Sequence, residues 1–174
     1  MTPETRPTFE QNFSRPWVKS IVICAGELSI PQPRLVFPPH IRDDADMHLE
    51  HLGLNHPDPV AAAAWYCQNL GMTVARQFGP PQNGRFLADA RGKMMLEFYH
   101  NTEVGIPEYA TFAPFSFHIA FHVTDVANLR NRLLQAGAKP EGEVNTNSDG
   151  DQITIVRDPW GICLQFVQRA KPMV

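Results

Sequence analysis

One unit occurs twice in this chain, and the repeat limits the folds open to it more than any other feature. His51 to Gly71, HLGLNHPDPVAAAAWYCQNLG, is a short apolar strand that carries a histidine, breaks at Asp-Pro and runs into a helix that stops at glycine. His118 to Gly137, HIAFHVTDVANLRNRLLQAG, repeats the plan. In each copy an Asp follows the His by seven residues, Asp58 in the first and Asp125 in the second. The repeat period of about 67 residues is one supersecondary unit that cannot bury its apolar face alone, so two copies must pair to close a core.

The rest of each copy follows from its turn chemistry. In the first, Leu52 and Leu54 alternate with His51, Gly53 and Asn55 in the manner of a strand. Asp58 is a good N-cap, Pro59 suits a first helical turn, and the helix over Ala61–Leu70 is capped by Gly71. Three strands are expected next, Met72–Phe78, Arg85–Ala90 and Lys93–Tyr99, divided by Gly79-Pro80-Pro81, Asn83-Gly84 and Arg91-Gly92. The second copy gives a strand over Ser116–Val123, a helix from Asp125 to Gln135 and a weak strand over Lys139–Asn145. A hairpin of Gln152–Arg157 and Ile162–Val167 then turns at Asp158-Pro159-Trp160-Gly161. The expected class is α+β: two βαβββ modules pairing into a curved, cup-like mixed sheet with helices outside.

Module 1 spans 47–102, a linker with Gly105, Pro107 and Pro114 spans 103–114, and module 2 spans 115–170, together one domain over 47–170. Residues 1–46 hold seven of the sixteen prolines and no regular period, so an extended, poorly ordered segment is expected there. Two readings stay open for it: a natural arm, or a translation start at Met47.

A net charge of -3 gives no reason to expect nucleic acid or an anionic membrane as partner. No apolar run reaches the roughly 20 residues that span a bilayer. The apolar core of Trp17–Ile30 is too short for a signal peptide. Three cysteines without CxxC spacing argue against a disulfide framework and suit the cytoplasm.

With the copies in register, His51 and His118 match on the first strands. Glu97 and Gln165 match on the last, 46 and 47 residues later. Leu96 and Phe98 flank Glu97, and Leu164 and Phe166 flank Gln165, so these polar side chains are expected on the face away from the helices. A carboxylate between apolar neighbours is costly unless it is paired or bound to a metal. Two imidazoles, a carboxylate and an amide oxygen suit a divalent ion with positions left open for substrate. The competing reading pairs Glu97 with Arg85 or another arginine across strands and makes the histidines hydrogen-bonded core residues. Asn55, Tyr99 and His122 are expected to line the same cavity. His48, His56 and His100 read as solvated edge residues, and Cys163 as an inert buried thiol. No nucleophile elbow, phosphate loop or dinucleotide fingerprint is present.

HLGLNHPDP with WYCQNLGM, MMLEFYHN, FHIAFHVTDV with LLQAGA, and DPWGICLQFV resemble the vicinal oxygen chelate superfamily over about residues 48–169. That group includes glyoxalase I, methylmalonyl-CoA epimerase, extradiol dioxygenases and the fosfomycin and bleomycin resistance proteins. The resemblance implies paired βαβββ modules and a divalent ion (Fe, Ni, Co, Mn or Zn) on His51, Glu97, His118 and Gln165. In members that move protons, the carboxylate on the final strand is often the base. Here that position is Gln165, which takes no proton, so Glu97 becomes the candidate base.

Three activities fit the resemblance: a metal-dependent lyase or isomerase on an oxygen-chelating metabolite, a ring-cleaving Fe(II) dioxygenase, or a non-catalytic binder of a small molecule such as an antibiotic. A homodimer is expected, with the cup either inside one chain or shared between two.

Overall fold

The computed structural model describes residues 47–173, so the expectations for 1–46 lie outside the described residues. Module 1 consists of β1 (His51–Asn55), α1 (Pro59–Leu70), β2 (Thr73–Gln77), β3 (Arg85–Ala88) and β4 (Met95–Tyr99). Module 2 consists of β5 (Ile119–His122), α2 (Val126–Gln135), β6 (Lys139–Pro140), β7 (Asn145–Thr146), β8 (Gln152–Arg157) and β9 (Cys163–Gln168). Both helices start as their sequences require. The Asp58 carboxylate accepts from Ala61 N at 2.9 Å, and that of Asp125 accepts from Asn128 N at 3.0 Å. Both end at a glycine in the left-handed region, Gly71 at φ 67° and Gly137 at φ 92°.

Each module builds its own mixed, open sheet, ordered β1-β4-β3-β2 in the first and β5-β9-β8-β6 in the second, with β7 also on β8. The first strand of each is parallel to the last: β1 to β4 and β5 to β9. The weak strand expected over Lys139–Asn145 is in fact two two-residue pieces, both antiparallel to β8. Between them Gly142 turns at φ 91°, and Pro140 has no N–H to extend a ladder.

The modules join on their helix sides. Leu54, Leu96 and Phe98 of the first sheet share one buried cluster with Leu164, Phe166 and Val156 of the second. Full burial of a side chain such as Phe98 is worth about 2–3 kcal/mol. Trp65 Nε1 donates to Ala136 O at 2.8 Å, and Tyr66 OH donates to Asp158 Oδ2 at 2.9 Å. The linker takes part. It contains a 3-10 turn, Tyr109–Thr111, and the buried Tyr109 donates to Asn55 O at 3.0 Å. Arg157 donates to the carbonyls of Tyr109, Phe112 and Gly161 and pairs with Glu141. Gly161, at φ 93°, lies so close to Ala110 that a Cβ there would stand 2.7 Å from the alanine methyl.

Two of the three histidines read as solvated are otherwise. His56 is fully buried, edge-on to Phe98 and Trp160 at 5.4 and 4.8 Å. Its Nδ1 accepts from Asp58 N at 3.0 Å, and Nε2 has no partner. Burial pushes its pKa down to about 4. His100 is half-buried, with Nδ1 2.9 Å from His56 O. His48 is exposed, as expected.

Candidate metal centre

Parallel pairing of β1 with β4 sets the centre. The register pairs Leu52 with Leu96 and Leu54 with Phe98, which puts these four on the helix side. The alternate pairs, His51 with Met95, Gly53 with Glu97 and Asn55 with Tyr99, therefore lie on the open face. On β3, Phe86 pairs with Glu97 and joins that face. Arg85 pairs with Phe98 on the other side, and its guanidinium is taken by the carbonyls of Phe78, Asn83 and Gly84. The expected alternative partner of Glu97 is thus on the wrong face. Its parity, one residue from Phe86, is the reason.

Glu97 meets His51 instead, with Oε2 3.5 Å from Nε2. In tetrahedral coordination with metal–nitrogen and metal–oxygen bonds near 2.1 Å, two ligand atoms stand roughly 3.4 Å apart. The pair has the spacing to hold one ion. Glu50 accepts from His51 Nδ1, so Nδ1 carries the proton and the Nε2 lone pair faces Glu97. The hydrogen bond to Glu50 raises the His51 pKa most; burial opposes it, and the charges of Glu50 and Glu97 add to the rise. A divalent cation would take the place of the proton that these carboxylates attract. The His51 ring stands edge-on to Phe86 at 5.3 Å.

His51, Gly53, Glu97 and Tyr99 line an open cavity of about 550 Å³ with Phe78, Gln82 and Asn101. Gly53 makes its floor. A Cβ there would stand 3.3 Å from Glu97 Oε2 and 3.4 Å from the Tyr99 ring, so a larger residue would crowd both. Phe78 lies over Gly84, where a Cβ would overlap its ring at 2.0 Å. Asn55 lies beneath rather than in the lining. Its Oδ1 accepts from Asn101 N at 2.8 Å and its Nδ2 donates to Asn101 O at 3.0 Å, which holds Asn101 at the rim. Glu50, Phe78, Gln82 and Asn101 join the site without a motif to mark them in the sequence. Glu50 had one signal, its place beside a candidate ligand; the others reach the cavity from turns.

Gln165 and His122 lie on the other sheet, with His118 just before its first strand. Gln165 pairs with Ala120, and Leu164 and Phe166 face the core on either side of it. His122 is exposed at the end of β5. His118 precedes β5 by one residue, where the expected strand had included it. Its Nδ1 lies 2.8 Å from Pro114 O, a partner that only accepts. Nδ1 therefore carries the proton and Nε2 offers a lone pair, as at a metal-binding imidazole. Among the described residues, no three His, Cys, Asp or Glu side chains converge on a point where one ion would sit. His51 and Glu97 stand together on the first sheet, and His118 and Gln165 belong to the second module.

Residues 48–166 match the family model described as "Glyoxalase/Bleomycin resistance protein/Dioxygenase superfamily". No curated protein matches the chain. Among solved structures, "Oxidase ChaP-H2" is 24% identical at a TM-score of 0.53, over 71% of this chain and 94% of that one. A glyoxalase I mutant from Zea mays is 24% identical at 0.58, over 71% of this chain and 46% of that one. A glyoxalase/bleomycin resistance protein/dioxygenase family enzyme from Burkholderia phytofirmans PsJN is 19% identical at 0.57, over 71% and 99%. Each of these likenesses shows the fold.

Proposed function

The chain belongs to the glyoxalase/bleomycin resistance protein/dioxygenase superfamily, and from that premise we propose a divalent-metal-dependent enzyme of lyase or isomerase type. Its substrate is a small metabolite that chelates through adjacent oxygens, and its ion is shared between two subunits. The observation that carries this reading is the 3.5 Å pair of His51 Nε2 and Glu97 Oε2 in a lined cavity, with the remaining donors on another sheet. His51 and Glu97 of one subunit would hold the ion together with His118 and Gln165 of the other, in a homodimer.

When bound, the ion supplies Lewis acidity to a substrate carbonyl or enediolate oxygen. The protein supplies the rest. Glu50 keeps His51 in the ligating tautomer, and Pro114 O does the same for His118. The Glu97 carboxylate accepts the proton, since Gln165 has no basic oxygen. Phe78 and Tyr99 exclude water, and Gln82, Asn101 and His122 offer polar contacts to substrate oxygens. Two histidines and one glutamate also make the ligand set of a non-haem Fe(II) oxygenase, which favours ring cleavage as the second reading. The cytoplasm is the compartment of this reading, supported by the free thiols of Cys67 and Cys163. Among the described residues no helix is long and apolar enough to cross a membrane.

The test is metal analysis of mixed subunits. His51→Ala and His118→Ala homodimers are expected to lose the ion. Mixed after unfolding, they form heterodimers with one intact site of two and regain roughly a quarter of the wild-type content. No recovery in a mixture shown to contain heterodimers would place the ion within one chain. No ion in the wild type after incubation with divalent metals would leave a binding protein. Iron as the resident ion would select the oxygenase reading.

A further inference from the structure

Phe115 is 87% exposed, the most exposed large apolar side chain among the described residues. A single apolar residue on a surface is ordinary. This one is distinguished by what holds it. It stands in a turn closed by Ser116 N to Ala113 O at 2.8 Å and Phe117 N to Ala113 O at 3.3 Å. Phe117 is anchored inward against Tyr109 and Phe112, with ring centroids 6.3 and 6.0 Å away. Pro114, on its other side, accepts from His118 Nδ1 at 2.8 Å. The turn that holds the His118 imidazole thus holds Phe115 in the open.

The two open faces are complementary. The first sheet presents the carboxylates of Glu50 and Glu97 around a cavity with aromatic walls. By register, the second presents Ala120, His122, Gln165, Val167, Ile153 and Ile155, none of them acidic. The carboxylate nearest that second face, Glu141, is taken up by Arg157, whereas the cavity that needs a further donor has free carboxylate oxygens, and the turn carrying Phe115 lies three residues from the His118 Nε2 lone pair.

We infer that Phe115 enters the module 1 cavity of a second copy of this chain, beside Phe78 and Tyr99. There it closes the cavity's open side and limits the size of the substrate. The inference rests on the shared-site reading and adds a residue to it that is not a ligand.

The experiment uses the full chain with Phe115→p-benzoylphenylalanine, irradiated as a mixture of isotopically light and heavy subunits. A covalent dimer is expected, with position 115 joined to the other subunit's peptide between Phe78 and Asn101. Cross-links confined to the same chain, or none in a dimeric protein, would overturn the inference. A companion Phe115→Ala variant is expected to raise the dimer dissociation constant about thirtyfold, as loss of an interface hot spot does. Phe115→Leu restores most of the affinity, and metal content per dimer stays at the wild-type value. Dimer affinity unchanged in Phe115→Ala also overturns it. If mixed subunits regain metal and position 115 finds no partner, the shared site stands and Phe115 has no part in it. If metal is not regained, both readings fall.

Discussion

The two modules share a plan and differ in what their helices cover. α1 has no charged residue, and only Val60, Ala64 and Gln68 are exposed along it. It lies between its own sheet and module 2, which it meets through Trp65 and Tyr66. α2 buries Val126, Leu129 and Leu133 on one side and exposes Asn128, Asn131 and Arg132 on the other. A helix packed on two sides carries apolar residues over most of its circumference, whereas an outer one needs a single apolar stripe. The open faces differ as well. Module 1 has a carboxylate where module 2 has an amide, and the described cavity is on the carboxylate side. Two copies of one sequence plan have thus taken an inner and an outer place in the core.

Exchanging the two matched polar residues breaks the comparison most severely. Glu97→Gln is expected to abolish metal binding, and Gln165→Glu to tighten it by about tenfold, since ligand charge sets affinity for hard cations. Titration with a metal indicator reads both. Equal, small effects would mean that neither position ligates.

A smaller effect comes from His56 and Asp158, on opposite sides of the module junction. His56 is held neutral with a pKa of about 4. Its contribution is complete above the unfolded value near 6.5 and is lost as pH falls toward 4, about 3 kcal/mol in all. Asp158 has the opposite sign. Burial pushes its pKa up to about 6, against hydrogen bonds from Tyr66, Ile162 and Trp160. It costs stability above pH 6, and that cost is relieved as pH falls toward 3.8, again by about 3 kcal/mol. Between pH 6 and 4 the two nearly cancel. His56→Phe is expected to gain stability as pH falls through that window, and Asp158→Asn to lose it. Urea midpoints at pH 7, 5 and 4 separate them, and parallel profiles would remove the linkage.

The smallest effect tests where the modules are alike. Asp58→Ala and Asp125→Ala each remove one capping bond and are each expected to cost about 1 kcal/mol. A loss several times larger at Asp58 would show that the inner helix depends on its cap through the packing it supports. Thermal melts of the two variants suffice.

Much of the fold was legible in the sequence because its signals are local. Asp at the helix starts, Gly at the ends and period-two alternation around Glu97 and Gln165 act within a few residues. The features that escaped depend on where distant segments arrive. His56 reads as a polar edge residue until Phe98 and Trp160 close over it. Tyr109 lies in a segment rich in breakers, and its burial comes from module 2 on one side and Asn55 on the other. Half of the candidate centre, His51 with Glu97, follows from strand parity. Its placement relative to His118 does not, because repeat register says which positions correspond and nothing about which copies meet.

The chain between the modules is welded to both, and a hinge is what it fails to be. Arg157 grips it at Tyr109 and Phe112, Asn55 receives the Tyr109 hydroxyl, and Ala110 sits on a glycine that leaves no room for movement. A duplicated protein whose connector swings freely can trade halves with a neighbour or keep them, according to concentration. Here the connector holds the two modules of one chain in a single arrangement. Lengthening the chain near the exposed Thr102–Gly105 stretch would leave every one of these anchors in place, whereas cutting the Arg157 contacts would return to the two halves the freedom to choose their partner.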